Sequence, residues 1–166
     1  MSSTKWKIKK NKALKRSADH AAEILDIEAR RQKSLSSSLK IDDTSLSEFN
    51  DDFPFDETND QLIAFESIRK DMQLIKPMNR VLCGDVGFGK TEVAMRAAYT
   101  SVFSNKQVVI VCPSTILCDQ HFNSFLKRFN NFPVNIKKLS RHNSLKNKNE
   151  IISKYNMNEI DILITT

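Results

Sequence analysis

Leu14, Ala18, Ala21 and Leu25 recur at helical spacing, with Ile24 beside them, and residues 4–33 hold no proline or glycine. The pattern predicts one long helix with a narrow apolar stripe. A stripe that narrow packs on something but builds no core by itself. Trp6, the single tryptophan, reads as a packing anchor for this helix. SLSSSLKIDDTSLSEFNDD, residues 34–52, then reads as a serine-rich, acidic linker with room for a short helical turn. From Phe53 the pattern changes. Asn59 to Leu74 carries Leu62, Phe65, Ile68 and Met72 on one helical face, capped by Thr58 or Asn59. Arg80 to Cys83 reads as a short strand, and Lys90 to about Phe103 as a helix. Gln107–Cys112 is a β-branched strand, Thr115–Phe129 a helix capped by Ser114, and Val134–Leu139 a strand. Ser144–Tyr155 follows as a helix and Ile160–Ile164 as an apolar strand. Strands alternating with helices predict an α/β fold with a parallel sheet covered on both faces. The expected division is a helix over 1–33, a linker over 34–52 and a nucleotide-binding unit over 53–166.

Composition narrows the class. The hydrophobic fraction of 40% is compatible with one sizeable core, and no run nears the roughly twenty apolar residues of a membrane helix. Cys83, Cys112 and Cys118 contain no C-x-x-C pair, so they read as reduced, buried thiols of a cytoplasmic protein rather than a zinc site. The net charge of +6 favours an anionic partner. Residues 5–16 carry seven bases and no acid, residues 42–60 only acids, and Lys127 to Lys154 turns basic again.

All three glycines of the chain, Gly84, Gly87 and Gly89, fall within six positions. Gly84-Asp85-Val86-Gly87-Phe88-Gly89-Lys90-Thr91 matches G-x-x-x-x-G-K-[ST] in full, between an apolar run and a helix. A backbone that wraps a phosphate needs torsions that glycine reaches cheaply. The following helix contributes free N–H groups and its positive dipole end. Lys90 would reach the β- and γ-phosphates of ATP, and the Thr91 hydroxyl would ligate magnesium. Upstream, Phe55, Thr58 and Gln61 recur every three residues. An amide side chain suits the adenine edge and an aromatic ring can stack on the base. The competing reading of that stretch is a helix cap with an exposed glutamine. Pro113, Ser114 and Thr115 open another helix able to accept a nucleic-acid phosphate, and Ser140 and Arg141 follow a strand in the same way. A capped, buried helix explains the first of these equally well. Gln120 and His121 read as packed or solvated rather than catalytic.

FPFDETNDQLIAF, RVLCGDVGFGKTEVAMRAA, KQVVIVCPSTILCDQHF, RFNNFPVNIKKLSR and IDILITT run collinearly. Together they resemble the bacterial transcription-repair coupling factors (the Mfd family) along essentially the whole chain, with RecG-like helicases as the nearest relatives. The resemblance implies a RecA-like superfamily-2 lobe, C-terminally incomplete, behind a long N-terminal helix. It also implies an ATP- and Mg2+-dependent double-stranded DNA translocase. It assigns ATP contacts to Phe55, Thr58, Gln61 and Gly84–Thr91, and DNA contacts to Pro113, Ser114, Thr115, Ser140, Arg141 and Thr166. Two positions depart from the family pattern: Thr165 stands where it has glycine, and His142 where it often has phenylalanine. RNA polymerase and excision-repair proteins are the partners implied for the full-length family, through modules outside this chain. The acidic motif and second lobe of the family also lie outside it, so the expectation is no useful ATP hydrolysis by this polypeptide alone. Other readings of the same residues are a RecG-like helicase fragment, and a non-catalytic nucleotide- and DNA-binding remnant of a degraded gene.

Overall fold

A computed structural model describes residues 3–39 and 43–166, without side-chain detail at Ser3 and Thr4. The start of the first predicted helix and the middle of the predicted linker therefore lie outside the described residues. The elements are α1 (Ser3–Lys33), α2 (Asp43–Asp51), α3 (Asn59–Met72), α4 (Lys90–Phe103), β1 (Val108–Val111), α5 (Thr115–Arg128), β2 (Ile136–Leu139), α6 (Leu145–Asn156) and β3 (Ile162–Thr165). The three strands form a parallel sheet in the order β1-β3-β2. Val108 and Ile136 both face Ile162 in register, so β3 is the central strand.

Burial follows from that centrality. Ile162 and Ile164 point into the main core with Phe49, Tyr99, Cys118, Phe125 and Phe129. Leu163, one residue out of phase, joins Ile151 and Ile160 on the other face. Both faces of β3 are thus covered, as a parallel sheet requires. Three helices begin at side-chain caps: Thr58 on α3, Ser114 on α5 and Ser144 on α6.

Four expectations change. The stretch read as linker contains α2, whose Leu46 and Phe49 are core residues. Phe49 stacks on Tyr99 with ring centroids 4.2 Å apart, and Tyr99 Oη donates to Ser45 O at 3.0 Å. Acidic and serine residues between Leu46 and Phe49 hid an i, i+3 apolar pair. Second, Arg80–Cys83 forms no strand. Val81 is 83% exposed and no described strand offers this segment a ladder, which an apolar run needs before it becomes a strand. Third, Trp6 anchors nothing among the described residues, being 69% exposed. Residues 5–27 of α1 are exposed throughout. The helix is tied to the rest near its end, where Asn79 Nδ2 donates to Glu28 Oε2 at 3.4 Å and Ser36 N to Ile75 O at 2.7 Å. Fourth, Cys83 is exposed, whereas Cys112 and Cys118 are buried as expected. No described helix is long and apolar enough to cross a membrane.

Candidate nucleotide and nucleic-acid sites

The phosphate-loop sequence forms a tight turn that leads directly into α4. Gly87 and Gly89 have φ of +86° and +71°, in the left-handed region. Gly89 is the N-cap of α4 and supplies no side-chain bond to it, so the first turn of the helix keeps its polar N–H end open to a ligand. Lys90 folds back over the loop, its Nζ donating to Gly84 O at 2.6 Å and Asp85 O at 2.5 Å. The ammonium is therefore held at the centre of the turn, where an anion seated on the loop would meet it.

The upstream motif is bound to this loop. Thr58 Oγ1 accepts from Gln61 N, and Gln61 Oε1 accepts from Thr58 N at 3.0 Å, a complete capping box. The same amide donates from Nε2 to Phe88 O at 2.9 Å. Gln61 thus serves as both cap partner and tether to the phosphate loop. Its close approach also explains Gly89: a Cβ there would lie 2.4 Å from Gln61 Nε2. Phe55, Thr58, Gln61, Gly87, Phe88 and Gly89 line one cavity of about 510 Å³. Thr91 lines a neighbouring cavity of about 630 Å³ with Gln120, His121 and Lys127, and the two share Phe53, Phe55 and Glu92. Among the described residues no group of three or more His, Cys, Asp or Glu could hold a metal ion. Thr91, half-buried at the start of α4, is the predicted residue whose hydroxyl could ligate a magnesium ion.

Behind both cavities lies a buried charge cluster that pattern reading missed. Glu92 accepts from Arg96 Nε at 3.0 Å, and from Arg128 Nη2 at 3.0 Å and Nε at 3.1 Å. Arg96 also donates to Glu57 at 2.5 Å, and Arg128 to Asp52 at 3.3 Å and to Phe49 O at 2.5 Å. The Arg96 guanidinium holds the Glu57 carboxyl below its ordinary range, against an opposing push from burial. Phe49 lies 3.8 Å beneath the Arg128 guanidinium. A signal existed in part: Glu92 and Arg96 are an i, i+4 pair on a helix whose other buried residues are apolar except Thr100. Arg128 looked like an ordinary basic last-turn residue, because its acids are 36 and 76 positions away.

The second site gathers off the carboxyl ends of the strands, where ligands of open α/β sheets bind. Pro113, Ser114 and Thr115 follow β1, Arg141 follows β2 and Thr166 follows β3, and these five line a cavity of about 310 Å³. The predicted residue that stays apart is Ser140. It is 4% exposed and turned inward, its N donating to Asn143 Oδ1 at 2.8 Å and its Oγ accepting from His142 N at 3.4 Å. Ser140 shapes the turn that presents Arg141. Ser114 Oγ accepts from Leu117 N at 3.3 Å as a cap, and both it and Pro113 remain exposed.

The DEAD/DEAH box helicase family profile matches residues 58–166. Over 166 residues the chain is 43% identical to the transcription-repair-coupling factor of Borreliella burgdorferi, covering all of this chain and 15% of that protein. It is 44% identical over 161 residues to the transcription-repair-coupling factor of Escherichia coli, covering 97% of this chain and 14% of that one. The solved structure of RecG bound to a three-way DNA junction superposes with a TM-score of 0.78 at 35% identity, over 85% of this chain and 19% of RecG. The chain thus spans about one seventh of the length of these two curated relatives.

Proposed function

Because this chain belongs to the DEAD/DEAH box helicase family, we propose that it is the ATP-gripping segment of a double-stranded DNA translocase of the transcription-repair-coupling type. The observation that carries the reading is the joined unit of phosphate loop, open α4 N-terminus and inward-held Lys90, with Phe55 and Gln61 on the same cavity. In this reading Gly84–Thr91 would cradle the triphosphate, and the Thr91 hydroxyl would be a ligand to a magnesium ion, whose charge would offset that of the phosphates. Phe55 stacks on the base, and the Gln61 amide, while bonded to Thr58 N and Phe88 O, offers its second N–H and its remaining lone pair to the base edge. The cavity of Pro113, Ser114, Thr115, Arg141 and Thr166 takes a DNA phosphate. What the relatives' name joins, transcription and repair, extends to this segment as part of the longer protein, with RNA polymerase as the partner that name suggests.

The test is binding by this chain itself. A fluorescent ATP analogue is expected to bind with magnesium, and Lys90→Ala to abolish it. Binding that survives Lys90→Ala unchanged, or no binding at all, rejects the reading. For the second cavity, Arg141→Ala should weaken duplex DNA binding alike for all sequences and lower the salt slope by about 1. An unchanged slope removes Arg141 from the DNA contact.

A further inference from the structure

The segment Asp52–Glu57 carries the ring assigned to the base, yet it is neither helix nor strand. Pro54, Phe55 and Asp56 are exposed, with Phe55 at 71%. Its placement depends on its two ends and on Phe53. At one end Asp52 accepts from Arg128, and at the other Glu57 accepts from Arg96. Between them Phe53 lies 5.4 Å from the Arg96 guanidinium and 5.7 Å from that of Arg128. Phe55 sets its ring edge-on to Phe53 at 5.5 Å. Both guanidiniums converge on one carboxylate, Glu92, which sits two residues after Lys90 in the first turn of α4.

We infer that Glu92, Arg96 and Arg128 are positioning residues for base recognition. They fix the segment that carries Phe55 to the helix that carries the phosphate loop, and so set the span between base and phosphate contacts. Three features support this over a purely stabilising role. Glu92, Arg96 and Arg128 are 9%, 3% and 9% exposed, and a buried ion network contributes little net stability beyond what apolar residues of the same volume would give. Charge does provide direction: Arg128 satisfies Glu92, Asp52 and the Phe49 carbonyl from one guanidinium, which leaves segment 52–57 a single orientation. The charges also face the segment rather than solvent, so their geometry is transmitted to Phe53 and from there to Phe55. The inference rests on the proposed nucleotide reading and deepens it: the base half of the site is held by charged residues behind the ring, of which Glu92 lines both cavities.

The experiment compares ATP with inorganic tripolyphosphate, which shares the phosphate chain and lacks the base. The 166-residue chain is titrated with each, alongside Glu92→Gln, Arg128→Lys and the milder Glu57→Gln. The wild-type chain should bind ATP more tightly than tripolyphosphate. Each variant should lose ATP affinity, by about ten- to a hundred-fold for Glu92→Gln and Arg128→Lys, the loss expected when a base no longer stacks on its ring. Tripolyphosphate affinity should stay within about twofold, because the loop itself is untouched. Parallel loss of both ligands marks a structural role and overturns the inference, as does no loss of either. If Glu92→Gln does not fold, Glu57→Gln decides, since Glu57 is partly exposed and touches the cluster only through Arg96. A wild-type chain that binds both ligands equally refutes the base contact and takes the inference with it, while leaving the phosphate loop standing. A wild-type chain that binds neither refutes the nucleotide reading as a whole.

Discussion

Gly87 and Gly89 share a left-handed backbone but differ in what surrounds them, and that difference predicts unequal costs for one substitution. An alanine at Gly87 would meet nothing within 4 Å, so its cost is conformational alone. Holding an L-residue at that φ costs about 1–2 kcal/mol. An alanine at Gly89 carries the same strain and also places its Cβ 2.4 Å from Gln61 Nε2. The glutamine amide is a flexible end and can swing away, but it then gives up its bonds to Phe88 O and Thr58 N. Two hydrogen bonds near the surface contribute about 1–2 kcal/mol together. Gly89→Ala should therefore cost about 2–4 kcal/mol.

Urea unfolding of the nucleotide-free chain, followed by circular dichroism, measures both. The decisive comparison adds Gln61→Ala to each background. In the wild-type chain and in Gly87→Ala it should cost about 1–2 kcal/mol. In Gly89→Ala it should cost close to nothing, because the same bonds are already broken. Equal costs for Gln61→Ala in all three backgrounds would refute the reasoning, since the amide would then not be what the new methyl displaces.

Phe49→Ala should destabilise the chain by about 3–5 kcal/mol in the same assay, because a fully buried ring between Tyr99 and Arg128 is removed; a loss below about 1 kcal/mol would show α2 to be peripheral. Iodoacetamide should modify Cys83 well before Cys112 and Cys118, whose thiols burial pushes above their ordinary range, and ATP should slow labelling of Cys83 beside the loop; peptide mass mapping reads both effects. The Glu57 carboxyl is depressed in the folded state by Arg96, so its contribution is present above the ordinary carboxylate value and is lost as pH falls through and below it. The stability gap between wild type and Glu57→Gln should therefore shrink on acidification below about pH 4.5, and a gap constant with pH would contradict the assignment.

How far the sequence anticipated the molecule depends on how local each cause is. The phosphate loop was legible because all three glycines of the chain lie in it and the motif needs one at Gly84 and at Gly89. The caps at Thr58, read as one of two candidates, and at Ser114 were legible because a cap is a contact over three residues, whereas Ser144 was read as the first helical residue and is the cap of α6. Gln61 was read as a base contact or as an exposed cap residue, and its bond to Phe88 spans 27 positions, beyond any local pattern. The same distance problem hid Arg128. It also turned Arg80–Cys83 into an expected strand, since β-branched and apolar residues signal a strand without saying whether a neighbour will pair with it. α2 was read as no more than a short helical turn in a linker for the opposite reason: its apolar content is two residues in nine, too few to announce a core helix.

The two candidate sites are built on different elements, which makes their independence testable. The nucleotide unit hangs on α4, which supplies Lys90 to the loop, Arg96 to segment 52–57, and Tyr99 to α2. The second cavity is set by the carboxyl ends of β1, β2 and β3, whose relative positions are fixed by the ladders through Ile162 to Thr165. None of its five lining residues bonds to the loop or to the Glu92 cluster by the contacts described above. Substitutions at separated sites without shared partners act independently to within about 0.5 kcal/mol. Arg141→Ala should therefore leave ATP affinity unchanged, and Lys90→Ala should leave nucleotide-free DNA affinity unchanged, both read by titration on the same preparation. A loss of DNA affinity in Lys90→Ala of tenfold or more, about 1.4 kcal/mol, would mean that the loop and the strand ends form one coupled surface. Coupling of that size would have to pass through α4 and its packing on β1, and it would disappear in a variant that loosens that packing while sparing both sites.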